Sequence, residues 1–127
     1  MDKCVFCEIG KTIDSDRILF ETIGWIAIYD GYPVTKGHTL LIPKEHYETY
    51  FDLPSTMKES MEYRIQQVKK ILDDKFHPDG YNIGFNCGEA AGQTVMHFHL
   101  HIIPRYKGDC ENPRGGVRGV IPSKQSY

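Results

Sequence analysis

The chain has 127 residues, 40% of them hydrophobic, which is enough for one domain with a substantial core. Its 15 Lys and Arg against 17 Asp and Glu give a net charge of -2, which leaves no basic footprint for nucleic acid or an anionic membrane. No apolar run approaches the roughly 20 residues of a membrane helix, and the start, MDKCVFCEIG, lacks the basic opening and long apolar stretch of a signal peptide. A cytoplasmic protein is expected. In that reducing setting Cys4 and Cys7 read as a metal or redox pair rather than as half of a disulfide framework.

In chain order, RILFET and WIAIYD are short apolar runs on either side of Gly24 and predict a hairpin. DGYPVTKG is turn chemistry, and HTLLIP is the next strand, stopped by Pro43. Residues 56 to 76 predict the one long helix. Thr56 and Glu59 have capping-box spacing, and Met57, Met61, Ile65, Val68, Leu72 and Phe76 share one face. YNIGFN then alternates apolar and small polar residues. CGEAAGQT is a loop, and VMHFHLHIIP is the last strand, stopped by Pro104. Strands, one long helix and more strands predict an α+β domain on an antiparallel sheet. The domain covers residues 1–106. Residues 107–127, rich in Gly, Pro and Arg, form a tail to the same unit.

Three of the six histidines fall at alternate positions of that last strand. Side chains on a strand alternate between faces, so His97, His99 and His101 point one way, while Phe98, Leu100 and Ile102 point into the core. Two uses remain open. All three imidazoles can hold one catalytic metal, which the spacing alone slightly favours. Alternatively they divide the work at a phosphate, one as nucleophile and another as donor. GEAAGQT, with glycines that let backbone N–H groups approach an anion, and the neutral donors Gln93, Thr94 and Asn86 shift the balance toward phosphate.

The stretch HFHLHII, with GQTVM before it and WIAIYD, KGHTLLIPKEH and YNIGFN upstream, resembles the histidine triad (HIT) family over about residues 4 to 106. The resemblance implies a five-stranded antiparallel sheet with one long helix and a short N-terminal helix, dimerising through a joined sheet. It implies hydrolysis or transfer at the phosphate attached to a nucleoside, with an adenosine nucleotide as substrate. By the same match His99 is the nucleophile, and His101 contacts phosphate and assists the leaving group. His38 supports the catalytic cluster, and Asp30 takes the ribose hydroxyls. Asn86, Gln93 and Thr94 hold phosphate oxygens or the leaving side.

Zinc-binding members of the family, the galactose uridylyltransferase branch among them, use a Cys pair, a histidine after the IPK strand and the first triad histidine. Here these are Cys4, Cys7, His46 and His97, which implies one structural zinc per chain and no organic cofactor. The third histidine and EAAGQTVMHFHLHIIPR most resemble the diadenosine polyphosphate hydrolases of the fragile histidine triad branch. Three other readings stay open: an adenosine phosphoramidate (P–N) hydrolase, a non-catalytic nucleotide sensor or scaffold, and a tri-histidine metal enzyme. In the tail, Arg114 and Arg118 are expected to reach a polyphosphate leaving group across the dimer.

Overall fold

The computed structural model describes residues 4–127. Its strands β1 (Ile18–Glu21), β2 (Trp25–Tyr29), β3 (Thr39–Pro43), β4 (Gly80–Gly84) and β5 (Leu100–Arg105) form one antiparallel sheet in the order β1-β2-β3-β5-β4. A short helix, α1 (Ile9–Thr12), precedes the sheet, and one long helix, α2 (Ser55–Phe76), joins β3 to β4. This is the α+β architecture expected from the sequence. Among the described residues, no helix is long and apolar enough to cross a membrane.

The uninterrupted apolar runs of β2 and β3 have a simple cause, because both faces of these strands are covered. Trp25, Ala27 and Leu41 pack with Phe98, Leu100 and Ile102 against Met61, Val68 and Leu72 of α2. Ile26, Ile28, Leu40 and Ile42 face the other way and are covered by Phe6, Ile9, Ile13 and Ile18. The N-terminal segment is therefore part of the packing and carries its own residues over the sheet. Trp25 anchors the helix from below, its indole N–H donating to Ser60 Oγ at 2.9 Å.

Two local expectations are corrected. The ladder of β5 begins at Leu100, not near Val95. Upstream backbone groups are claimed elsewhere: Phe98 N–H donates to the Tyr47 carbonyl at 2.6 Å, and the Val95 carbonyl accepts from the Gln93 carboxamide at 3.1 Å. The chain there still alternates, with Phe98 buried beside Leu100, so the histidines keep a common side. The second correction concerns the helix start. Pro54 occupies the N-cap position of α2 without a side-chain cap. The capping box lies at Thr49 and Asp52, where it heads a short 3-10 turn. Spacing alone could not separate two nearby Thr-x-x-acid patterns, and the proline chose between them.

Candidate functional site

A cleft of about 550 Å³ opens on the sheet face that the N-terminal segment covers, within the size range of small-molecule sites. It is lined by Asp30, His38, Asn86, Thr94, His99 and His101, six of the residues singled out from sequence. Phe6, Ile9, Arg17, Ile28, Tyr32, Val34, Leu40 and Val95 also line it, and sequence reasoning gave none of them a role at the site.

Hydrogen bonds assign the protons of the imidazoles, because a carbonyl only accepts and an amide N–H only donates. His99 Nδ1–H donates to the His97 carbonyl at 2.9 Å, so Nε2 of His99 is left with its lone pair. Val34 N–H donates to His38 Nδ1 at 3.0 Å, so the proton of neutral His38 sits on Nε2. That Nε2–H points at His101 Nδ1 at 2.9 Å, with Asp30 Oδ2 at 3.5 Å from the same nitrogen. His101 Nδ1 therefore accepts, and its own proton is placed on Nε2. The rings of His99 and His101 lie 5.3 Å apart, one carrying a lone pair and the other a proton. Burial first, then the neighbouring His99 and His38, push His101 down to about 4, against the opposing pull of Asp30. Burial also lowers His38.

These shifts fix a sign. His101 is neutral in the folded chain at pH values where an unfolded histidine, near 6.5, already binds a proton. Its contribution to stability is whole above about pH 6.5 and is lost as pH falls toward 4. The melting temperature is expected to drop on acidification through that window, and His101→Asn should flatten the drop. An equally steep acid limb in the variant would assign the effect to other groups.

The loop before the triad does not present its backbone as the sequence implied. The N–H groups of Ala91, Gly92 and Gln93 turn inward to the Gly88 and Glu89 carbonyls. The donors near the cleft are side chains. Gln93 is placed apart from them: it is buried, with Oε1 accepting from Gly88 N–H at 2.8 Å and Nε2 donating to the Glu48 carbonyl at 2.7 Å. It ties the loop together, and Asn86 and Thr94 line the cleft. One oxygen of Asp30 caps its own turn at Tyr32 N–H, 2.8 Å away. Arg114 and Arg118 are not among the residues lining the cleft of their own chain, and both stack on Tyr127, 4.8 and 4.9 Å from its ring.

His97 belongs to a different cluster. Its Nε2–H donates to the Pro43 carbonyl at 2.7 Å, which frees Nδ1 toward Cys4 Sγ at 3.3 Å and Cys7 Sγ at 3.5 Å. His46 Nδ1 is 3.3 Å from Cys7 Sγ. One ligand atom from each of the four lies within 4.8 Å of all the others. Sulfur and nitrogen ligands on a tetrahedral zinc sit about 3.5 Å apart, so this set fits zinc. The Pro43 carbonyl supplies the outer hydrogen bond that a ligating histidine needs. Burial and then the adjacent Cys4 push the Cys7 thiol up.

Asp30, His38 and His101 also converge, but they do not fit a metal. A metal on His38 Nε2 would move that proton to Nδ1, against Val34 N–H. Among the described residues neither cluster holds more than one of His97, His99 and His101, so the geometry does not gather the triad around one ion.

Residues 11–108 match the HIT domain family. The "Protein hit" of Bacillus subtilis is 40% identical over 110 residues, 85% of this chain and 75% of that protein. Adenylylsulfatase HINT3 of Arabidopsis thaliana is 36% identical over 107 residues, 84% of this chain but 54% of that protein. The crystal structure of a Zn-bound histidine triad family protein from Mycobacterium smegmatis superposes with a TM-score of 0.75 at 39% identity, covering 84% of this chain and 77% of the other.

Proposed function

The chain belongs to the HIT domain family, and from that premise we propose that it is a nucleotide hydrolase acting at the α-phosphate through a nucleotidyl-histidine intermediate. The observation that carries this reading is the pairing of a free lone pair on His99 Nε2 with the N–H of His101 in one cleft. The lone pair attacks phosphorus, an N–P bond forms, and the bond to the leaving oxygen breaks. His101 Nε2–H donates to that oxygen as charge builds on it. The His99 ring becomes positive, and the His97 carbonyl, already accepting from Nδ1–H, stabilises it. Water then attacks the same phosphorus and gives up a proton to solvent, the N–P electrons return to Nε2, and the nucleoside monophosphate leaves. Thr94 and Asn86 hold equatorial oxygens, Asp30 Oδ2 takes ribose hydroxyls, and His38 keeps His101 in its donor tautomer.

Cys4, Cys7, His46 and His97 would hold a structural zinc. When bound, it supplies a cross-link and stays outside the chemistry. The substrate class is a dinucleoside polyphosphate. The likeness to a protein named adenylylsulfatase favours, as a second reading, smaller adenylyl compounds, including P–N phosphoramidates. A turnover panel of diadenosine polyphosphates, adenylyl sulfate and adenosine phosphoramidates decides between them. Binding without turnover of any would favour the sensor reading.

The dimer and the tail belong to the same proposal. β4 is an edge strand, and its Ile83 is 43% exposed. Val117 and Val120 of the tail are 66% and 77% exposed. A second copy joining at β4 would cover these groups and bring Arg114 or Arg118 toward a polyphosphate in the partner's cleft. Removing residues after Lys107 would also remove Asp109, which grips Arg105 of β5 at 2.7 and 2.8 Å, so it is too blunt a test. Arg114→Gln with Arg118→Gln leaves that grip intact. The pair is expected to raise KM for diadenosine polyphosphates about tenfold, and to leave that for a small phosphoramidate within about twofold. The difference should shrink in high salt. Equal changes for both substrates would separate the tail from the leaving group.

A further inference from the structure

Phe6 stands between the two cysteines of the metal cluster, yet its ring belongs to the cleft. It meets His99 edge-on at 5.0 Å and His97 at 6.0 Å between centroids. With Ile9, Ile28 and Leu40 it forms the apolar wall of the cleft. The turn that carries it is closed by Cys7 N–H donating to the Cys4 carbonyl at 3.2 Å. Cys4 and Cys7, the two ends of that turn, are both candidate metal ligands. Where the thiols are held therefore decides where the ring stands.

We propose that Phe6 couples the metal to the substrate: zinc on Cys4, Cys7, His46 and His97 pins the Phe6 ring as the platform for the nucleoside base, so metal and nucleoside bind cooperatively. The proposal rests on the nucleotide-hydrolase reading above. Its physical basis is ordering. A short turn near the chain start loses conformational freedom once two of its side chains share an ion. A base that then packs on Phe6 need not order it again, which is positive cooperativity without a change of shape. The coupling must be reciprocal, so a nucleoside must hold the metal as much as the metal holds the nucleoside.

A second link runs through His97, whose Nδ1 faces the thiols while its carbonyl accepts from His99. The two links separate by what they touch. Both links touch His99, but only Phe6 also stands on the apolar wall where the base would pack. A ligand with a base and one without it therefore report on different routes.

The test follows zinc release from the loaded protein into excess chelator. It compares no addition, AMP, and ribose 5-phosphate, which lacks the base. Calorimetry on the same sample measures AMP binding directly. AMP is expected to slow zinc release about fivefold or more, and ribose 5-phosphate less than about twofold. Phe6→Leu keeps an apolar side chain under the sheet but removes the ring. It should still bind zinc, and AMP more weakly; at AMP concentrations that calorimetry shows to saturate the variant, the effect of AMP on release should fall below about twofold. Bound AMP that leaves zinc release unchanged overturns the proposal. So does a full effect in Phe6→Leu, or an equal effect of ribose 5-phosphate. Absence of AMP binding in the calorimeter removes the nucleotide reading itself, and the coupling falls with it.

Discussion

His99→Asn is expected to lower kcat by about 10⁴-fold or more, the scale on which loss of a covalent nucleophile is felt. Asparagine is the informative replacement. Its carboxamide can still donate to the His97 carbonyl, which now accepts from Nδ1–H at 2.9 Å, so the local fold has no reason to change. It lacks the lone pair at the Nε2 position. AMP should bind the variant within about threefold of the native chain, because the groups proposed for ribose and base lie elsewhere in the cleft. A covalent adenylyl adduct should be recoverable from the native chain after acid quench and absent from the variant. His101→Asn is expected to cost less, about 10²- to 10³-fold, and less still for substrates with better leaving groups, since a donor matters most when the departing oxygen carries most charge. Turnover by His99→Asn within tenfold of native would sink the covalent route and return the site to binding alone.

The parts of this site that were readable from sequence are those that depend on period or on residue type. The alternation of His97, His99 and His101 with Phe98, Leu100 and Ile102 is a pattern of two, and it survives although the ladder starts only at Leu100. The α2 face was readable for the same reason: Met61, Val68 and Leu72 are buried at helical spacing. Cys4, Cys7, His46 and His97 came from family likeness. No local signal says that residues 4 and 97 meet, and their convergence is a product of the N-terminal segment folding back over β2 and β3. Gln93 shows where residue type misleads. A carboxamide beside an anion loop suits phosphate chemically, but burial and three backbone partners commit it to the loop. The tautomer chain was not readable at all, since it hangs on one amide, Val34 N–H, at 3.0 Å from His38. Phe6 offered one hint, an aromatic residue enclosed by a Cys pair, but the triad rings that it meets lie more than ninety positions away.

Cys4→Ser with Cys7→Ser is expected to leave the chain without zinc and less stable by about 3 kcal/mol, the contribution of a ligand held at about a hundredfold over its dissociation constant. For a domain of this size that is a fall in melting temperature of about 10 °C. The loss has a structural route. Phe6, Ile9 and Ile13 cover Ile26, Ile28, Leu40 and Ile42, and the metal cluster ties the end of that cover to His97. Released at Cys4 and Cys7, the segment is free to lift, and apolar surface of the sheet meets water. Activity should fall but persist, because His99 Nδ1–H and His38 Nδ1 take their partners from the backbone. Metal analysis on the native chain should find about one zinc, and brief exposure to EDTA should leave turnover standing while the metal is still bound or slowly leaving. The contrary result is specific: inhibition that is immediate, complete and reversed by added zinc would place a metal in the reaction. It would also require His97, His99 and His101 to turn toward one ion, out of the hydrogen bonds that now hold each ring to a different task.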